Sequence, residues 1–227
     1  MKNKFTAAIL ALSCAITMTA CTNSTATTRN APALSAVDHE AKVGDTLQTL
    51  NDASVIRLKK DFISWGDHWT VYADDTAVGY VNGKAIRLLD VYEFTDMNGV
   101  LIASEEENWK VLNATANLKN WQGQQEGRIE QEIFTMLAKL RIYRGDTQVG
   151  TIDQKFDFGM NAQIVNGDNT EWTLRGKVFT AGADLTLTRS HDDTTVTPLE
   201  AMWASLILHE ITATSLSNNS SHNNTNK

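Results

Sequence analysis

The segment Thr197 to Thr212, TPLEAMWASLILHEIT, is apolar almost all the way round, and its reading decides the fold. It carries a helix start: Thr197 as N-cap, Pro198 at the first helical position, and Glu200 placed to complete a capping box. From there to Thr212 a helix extends about 22 Å at 1.5 Å per residue, short of the roughly 30 Å hydrocarbon layer of a bilayer. Glu200, Ser205, His209 and Glu210 fall at scattered angles, so the helix lacks the broad polar face of an interfacial helix. A helix that is apolar on every side belongs in a core. In a chain made otherwise of strands, the place that buries all sides of one helix is the inside of a barrel.

The rest of the chain does read as strands. HWTVYAD sets Trp69, Val71 and Ala73 against Thr70 and Tyr72. EWTLRGKV sets Trp172, Leu174 and Val178 against Thr173, Arg175 and Lys177. ADLTLTR sets Leu185 and Leu187 against Asp184, Thr186 and Thr188. Period two with one apolar face marks half-buried antiparallel strands. Tight turns are expected at Asn82-Gly83, Asn98-Gly99, Arg144-Gly145 and Asn166-Gly167, because such pairs supply positive φ. VNGKAIRLLDVYEFTD from Val81 and LRGKVFTAGADLTLTR from Leu174 share a Gly-Lys and a following strand, an echo that duplication or two similar hairpins explain equally well. Between Glu105 and Glu130 the alternation lapses, and the polar stretch EEENWKVLNATANLKNWQGQQEGRIE reads as an elaborated loop with room for a short helix.

Residues IRLKKDFISWGDHWTVYADDTAVGYVNGKAIRLLDVYEFTDMNGVLIA resemble the opening of the LURP-one-related family. There, lysine-rich strands lead into an FSWGD turn, a Gly-Lys strand, a YEF strand and an Asn-Gly or Asp-Gly turn. LRIYRGDTQVGTIDQKFDF is similar to the family's central strand pair, and LRGKVF to its later Gly-Lys hairpin. The likeness runs from about Val55 to Thr212. That family is similar in fold to the tubby C-terminal domain and the phospholipid scramblases. The resemblance therefore implies a mainly β fold, an antiparallel barrel of about twelve strands closed round a hydrophobic C-terminal helix. Two departures, the polar insertion at Asn113 to Gly127 and the lack of a further FSW-type strand pair before the helix, point to fewer strands or an open seam.

The N-terminus reads as a targeting segment. Lys2 and Lys4 precede an apolar stretch from Phe5 to about Ala20 that ends MTAC, which resembles the lipobox of bacterial lipoproteins. Residues 1–20 are then a signal peptide and Cys21 the lipidated new N-terminus; Cys14, in ALSC, is the weaker rival. With two cysteines in the chain, one lost with the signal and one acylated, no disulfide is expected even in an oxidising compartment. Residues 21–50 read as a lipidated tether, flexible at least to Val37, with a short helix an alternative from Asp38 to Leu50. Residues 51–213 are the barrel domain, with its central helix at 198–212, and residues 214–227 a disordered polar tail.

Charge narrows the partners. The chain has 20 basic and 27 acidic residues, and without Lys2 and Lys4 the balance is 18 to 27, a net charge of −9. Such a domain is a poor match for nucleic acid. RLKK, Arg57 to Lys60, is a local basic exception best read as a solvated strand face. A search for chemistry returns no catalytic residues, cofactor site or metal site. His209-Glu210 begins a zinc-protease pattern, but Ala213 stands where the second His belongs. Gly79 and Gly83-Lys84 are too close for a phosphate loop. Arg144-Gly145-Asp146 is a turn that happens to spell an adhesion tripeptide, and Glu105 to Asn108 is an acidic loop before it is a cation site. The expectation is a non-enzymatic binding module for a lipid or protein ligand, tethered through lipid on Cys21 in the bacterial cell envelope. The periplasmic side of the outer membrane is favoured because Thr22 is not the Asp that holds such proteins in the inner membrane. A lipocalin-like carrier of an apolar ligand is the alternative, and it needs an empty lumen.

Overall fold

A computed structural model describes residues 34–60, 67–86, 89–110, 113–132, 139–154, 160–177 and 182–222. Helix α1 (Ala36–Asp52) leads into β1 (Val55–Lys60), β2 (His68–Ala73), β3 (Thr76–Ile86), β4 (Leu89–Asp96), β5 (Leu101–Lys110) and β6 (Asn113–Asn120). There follow β7 (Gln125–Gln131), β8 (Lys139–Arg144), β9 (Thr147–Gln154), β10 (Ala162–Asn166), β11 (Asn169–Lys177), β12 (Asp184–Arg189) and helix α2 (Pro198–His222). Each strand pairs antiparallel with its neighbours in sequence, and β1 pairs with β12, so the twelve strands close into an up-and-down barrel. Closure leaves no sheet edge to protect.

The alternation seen in sequence sets which side of each strand faces in. Ile56, Leu58, Trp69, Val71, Trp172, Leu174, Leu185 and Leu187 are all fully buried. The register then stacks these inward residues across strands, Ile56 opposite Leu187 and Leu58 between Leu185 and Val71. The lumen they line holds α2. Five consecutive helix residues, Ala201 to Ser205, are no more than 1 % exposed, and the four steps of about 100° between them pass every side of a helix. Ser205 and Thr212 satisfy their hydroxyls on the carbonyls one turn back, Ala201 and Leu208, each at 2.7 Å. The apolar helix thus lies where its sequence requires.

The two barrel ends differ. One end carries the turns after β2, β4, β6, β8 and β10, the entry into β1 and the strap from β12 to α2. Gly99, Gly145 and Gly167 take positive φ at three of these turns, as their sequence pairs demand. Helix α1 lies across this end, packed on β3, β5 and the start of α2. Val43, Leu47 and Leu50 form its inner face at helical spacing. The connections at the opposite end fall largely on residues outside the description.

Several expectations are corrected. Asn82-Gly83 is not a turn but lies inside β3, where Gly83 faces Tyr92; an added Cβ would come within 2.9 Å of that ring. The echo at Gly176-Lys177 is likewise strand, with Gly176 beneath Leu185. Residues 113–127 supply β6, its turn and the first part of β7, and the barrel closes with twelve strands and no open seam. The Glu105 to Asn108 segment is strand rather than acidic loop. Of the two readings open for Asp38 to Leu50 the helix is the one found, as α1, and α2 continues past 212 through most of the expected disordered tail to His222. The predicted signal peptide, Cys21 and residues 223–227 lie outside the described residues.

Burial of α2 on all sides makes a sharp prediction. Leu206 is 4 % and Ile207 5 % exposed, about 100° apart on the helix. A carboxylate at either position finds no water and no partner, which costs several kcal/mol, comparable to the whole stability of many domains. Leu206→Asp and Ile207→Asp should each abolish the cooperative thermal melt; a wild-type melt for one of them would place that face of α2 outside the lumen.

Candidate binding cleft at the start of the central helix

The strap that delivers α2 into the lumen is tied at several points. The indole of Trp172 donates to the Val196 carbonyl at 3.0 Å, and the Val196 amide donates to the buried Glu171 carboxylate at 2.6 Å. Asn166 donates to the Thr195 hydroxyl at 3.0 Å, and Arg189 lies over the Trp172 ring at 5.0 Å. The helix then begins as the sequence predicts. The Glu200 amide donates to the Thr197 hydroxyl at 3.2 Å, and the Thr197 amide donates back to the Glu200 carboxylate at 2.8 Å. This reciprocal box satisfies two of the amides left open at a helix start.

Glu200 has a second role. Arg144, at the end of β8, grips its two oxygens side-on, Nε to Oε1 at 2.9 Å and Nη2 to Oε2 at 2.6 Å, while Nη2 also reaches the Thr195 carbonyl at 3.0 Å. The Glu200 side chain is only 11 % exposed, so the fork is partly desolvated and strong for an ion pair. Its hydrogen bonds, and then the charges of Glu200 and Glu171, hold the Arg144 guanidinium above its ordinary pKa. Because Arg144 turns inward to Glu200, the Arg144-Gly145-Asp146 tripeptide is not displayed as a unit: Gly145 makes the turn and Asp146 alone stands fully in solvent.

Beside this fork, between α2 and strands β6 to β8, lies a cleft of about 380 Å³. Leu118, Leu199 and Trp203 supply its apolar wall, and Lys119, Glu126, Arg144 and Glu200 its polar groups. Gly127 belongs to the same wall, and a Cβ there would meet the Tyr143 carbonyl at 2.5 Å, so the strand cannot carry a side chain at that point. The indole N–H of Trp203 is shut away from solvent without an acceptor. Helix α1 approaches from the other side, where His39 stacks on Trp121 at 4.4 Å and its Nε2 meets the Leu101 carbonyl at 2.8 Å.

The far end of α2 is also polar. His209 is buried with its ring edge-on to Trp69 at 5.0 Å, and Trp69 carries Lys60 over its face at 5.4 Å. Tyr92 donates to Asp67 at 3.3 Å, and Lys60 pairs with the same carboxylate. Burial, followed by the charges of Glu210, Asp67 and Glu107, pushes the Tyr92 phenol far up from its ordinary value. Glu105 and Glu107 face into the barrel while Glu106 points out to Lys119, so the acidic run is split by the strand pleat. Among the described residues no group of His, Cys, Asp and Glu is placed to hold a metal ion. On the outer wall, Arg57, Arg175 and Thr186 line a shallow basin of about 720 Å³, with Arg57 forked onto Asp184.

The sequence reading had Glu200 as a cap, Arg144 as a turn residue and Trp203 as core, and did not join them. One signal was present: Leu140, Ile142 and Arg144 share the inward face of KLRIYR at period two. An arginine on an inward register next to a turn asks for a buried acid. Compared with models of known protein families the chain matches none, and no curated protein matches its sequence.

Two stability predictions follow from these ends. Glu200→Ala removes the box and the fork together and should cost roughly 2–4 kcal/mol; Glu200→Gln keeps an acceptor for the Thr197 amide and should melt between that variant and wild type. For Tyr92 the sign is fixed by the raised phenol. The unfolded phenol ionises near pH 10, whereas the folded one stays protonated well above it. Its contribution is therefore fully present below about pH 10 and is lost as pH climbs toward the folded value. Urea midpoints measured from pH 9 to 12 should fall more steeply for wild type than for Tyr92→Phe, and equal slopes would remove Tyr92 as the source.

Proposed function

We propose that this chain is a non-enzymatic binding module held on a cell-envelope membrane by lipid on Cys21, built on the barrel plan of the LURP-one-related and tubby C-terminal-like proteins. The observation that carries the reading is the filled lumen: Ala201 to Ser205 are buried on every side of α2. A lipocalin-like carrier holds its ligand in the space that α2 occupies, which favours recognition at a surface or end of the barrel. The cleft beside Arg144 and Glu200 is the best-formed place for it, because a rigid capped helix and three strands position its groups. Its mix of apolar wall and few oriented polar groups is that of a binding pocket. The net charge of −7 on the whole chain supports a lipid or protein ligand over nucleic acid.

The membrane address rests on the MTAC sequence at Cys21 and on Thr22, which favours the periplasmic face of the outer membrane. No described helix is long and apolar enough to cross a membrane. Wild-type chain should take up a palmitate analogue and sediment with membranes, while Cys21→Ser should lose the label and move to the soluble fraction. Retention of label and membrane by the variant would overturn the anchor. Crosslinking of the wild-type chain in cells, followed by lipid and protein analysis of the adducts, tests the module: a recurrent adduct on cleft residues supports it, and turnover of an adduct into product would make the protein an enzyme.

A further inference from the structure

The groups around the cleft restrict what it can take. Its charges are largely spent on each other: Arg144 is forked onto Glu200, and Lys119 is paired with Glu106 outside the cleft. Glu126 accepts from the Asn120 amide at 3.1 Å. An anionic ligand would have to break one of these pairs to find a cation, and a cationic one would find only the exposed Glu126 carboxylate outside an ion pair, beside Lys119 and Arg144. On the helix side the acceptors are taken, since both Glu200 oxygens serve Arg144 and one also serves Thr197. What is left over beside the helix is donors. The Trp203 indole N–H has no acceptor although the residue is 1 % exposed. Arg144 commits Nε and Nη2 to the fork and the strap, and its Nη1 has no partner among the described residues.

We propose that this cleft binds a small uncharged molecule with an apolar body and a carbonyl-type acceptor. The apolar body lies against Leu118, Leu199 and the Trp203 ring, and the acceptor takes the indole N–H or the free Arg144 amino group. The indole nitrogen is covered in the empty cleft, so engaging it needs a small rotation of the ring, a common adjustment in otherwise rigid binding sites. A buried donor left unmet is costly, so a ligand that meets it gains a term that an acceptor-free molecule of the same shape does not. The inference deepens the binding-module reading and rests on it, naming the ligand class for the one site.

The test uses two uncharged fluorophores and the full chain carrying Cys21→Ser, so that detergent can be omitted. Prodan is a naphthalene ketone; N-phenylnaphthylamine is a similar apolar body without a carbonyl. Wild-type cleft should bind both saturably. Trp203→Phe deletes the donor and trims the indole to a phenyl, a loss of apolar surface that both probes feel: prodan should weaken about 5- to 10-fold more than the amine probe does, the worth of one hydrogen bond. Leu199→Trp fills the mouth from the helix surface and should abolish both. The proposal is overturned if neither probe saturates on wild type, if Trp203→Phe weakens prodan no more than the amine probe, or if Leu199→Trp still binds both. Thermal melts check that each variant is folded; should Trp203→Phe not fold, Leu199→Trp with wild type still decides whether the cleft is the site. Failure of the probes alongside an in-cell adduct on another face would refute the ligand class and leave the binding-module reading standing.

Discussion

The structure depends on one demand: a helix with no polar side must be hidden on all sides. A sheet can cover one face of such a helix, and two layers can cover most of it. A closed barrel covers all of it, and at the same time removes the unpaired edges a twelve-stranded sheet would otherwise expose. The two halves of the fold are thus each other's core. The strands contribute Ile56, Leu58, Trp69, Trp172 and Leu174, the helix contributes Met202, Trp203, Leu206 and Leu208, and all are buried. Neither set has another place to go. The helix follows β12 in the chain, and β12 is also the strand that closes the barrel on β1.

That demand also explains which parts of the sequence were legible. Wherever a strand carries large inward residues, the alternation shows, as in HWTVYA and DLTLTR. It disappears in β6 and β7 because their inward residues are Ala116, Leu118, Gly127 and Ile129, half of them small. Gly127 is required by the neighbouring strand, since a Cβ there would meet the Tyr143 carbonyl at 2.5 Å. A pattern that counts apolar residues on one strand cannot see a constraint set by the strand beside it. The misplaced turn at Asn82-Gly83 has a similar cause. The glycine is required by close approach to Tyr92, not by positive φ, and a sequence pair alone does not tell the two reasons apart.

Helix α1 was only half legible, one of two readings left open for Asp38 to Leu50. Its start is marked: Ser35 caps the Asp38 amide at 3.2 Å and donates to the Asp38 carboxylate at 2.7 Å. Its apolar face is only Val43, Leu47 and Leu50, too little to stand out from a Thr- and Ala-rich linker. Such a helix has no stability of its own and exists because the barrel end beneath it offers a surface. The cleft was harder still to foresee. Arg144 and Glu200 are 56 residues apart, and nothing local to either announces the other. Only the closed topology, which brings the β8 turn to the mouth where α2 enters, makes them neighbours.

On the proposed reading, the same pair links binding to stability. Glu200 completes the helix start, fixes Arg144 and forms one side of the cleft, so the groups that would hold a ligand are those that hold the helix in the barrel. A surface loop can lose its ligand-binding residues at little structural cost, but this site cannot. Its backbone frame is fixed without a ligand, because the cap, the fork and the Trp172–Val196 strap all converge on the first turn of α2. Pre-organisation of that kind lowers the ordering cost of binding. It also constrains what can change: ligand preference can shift at Leu118, Leu199 or Glu126, which border the cleft without capping the helix, whereas a change at Glu200 alters the fold before it alters the ligand.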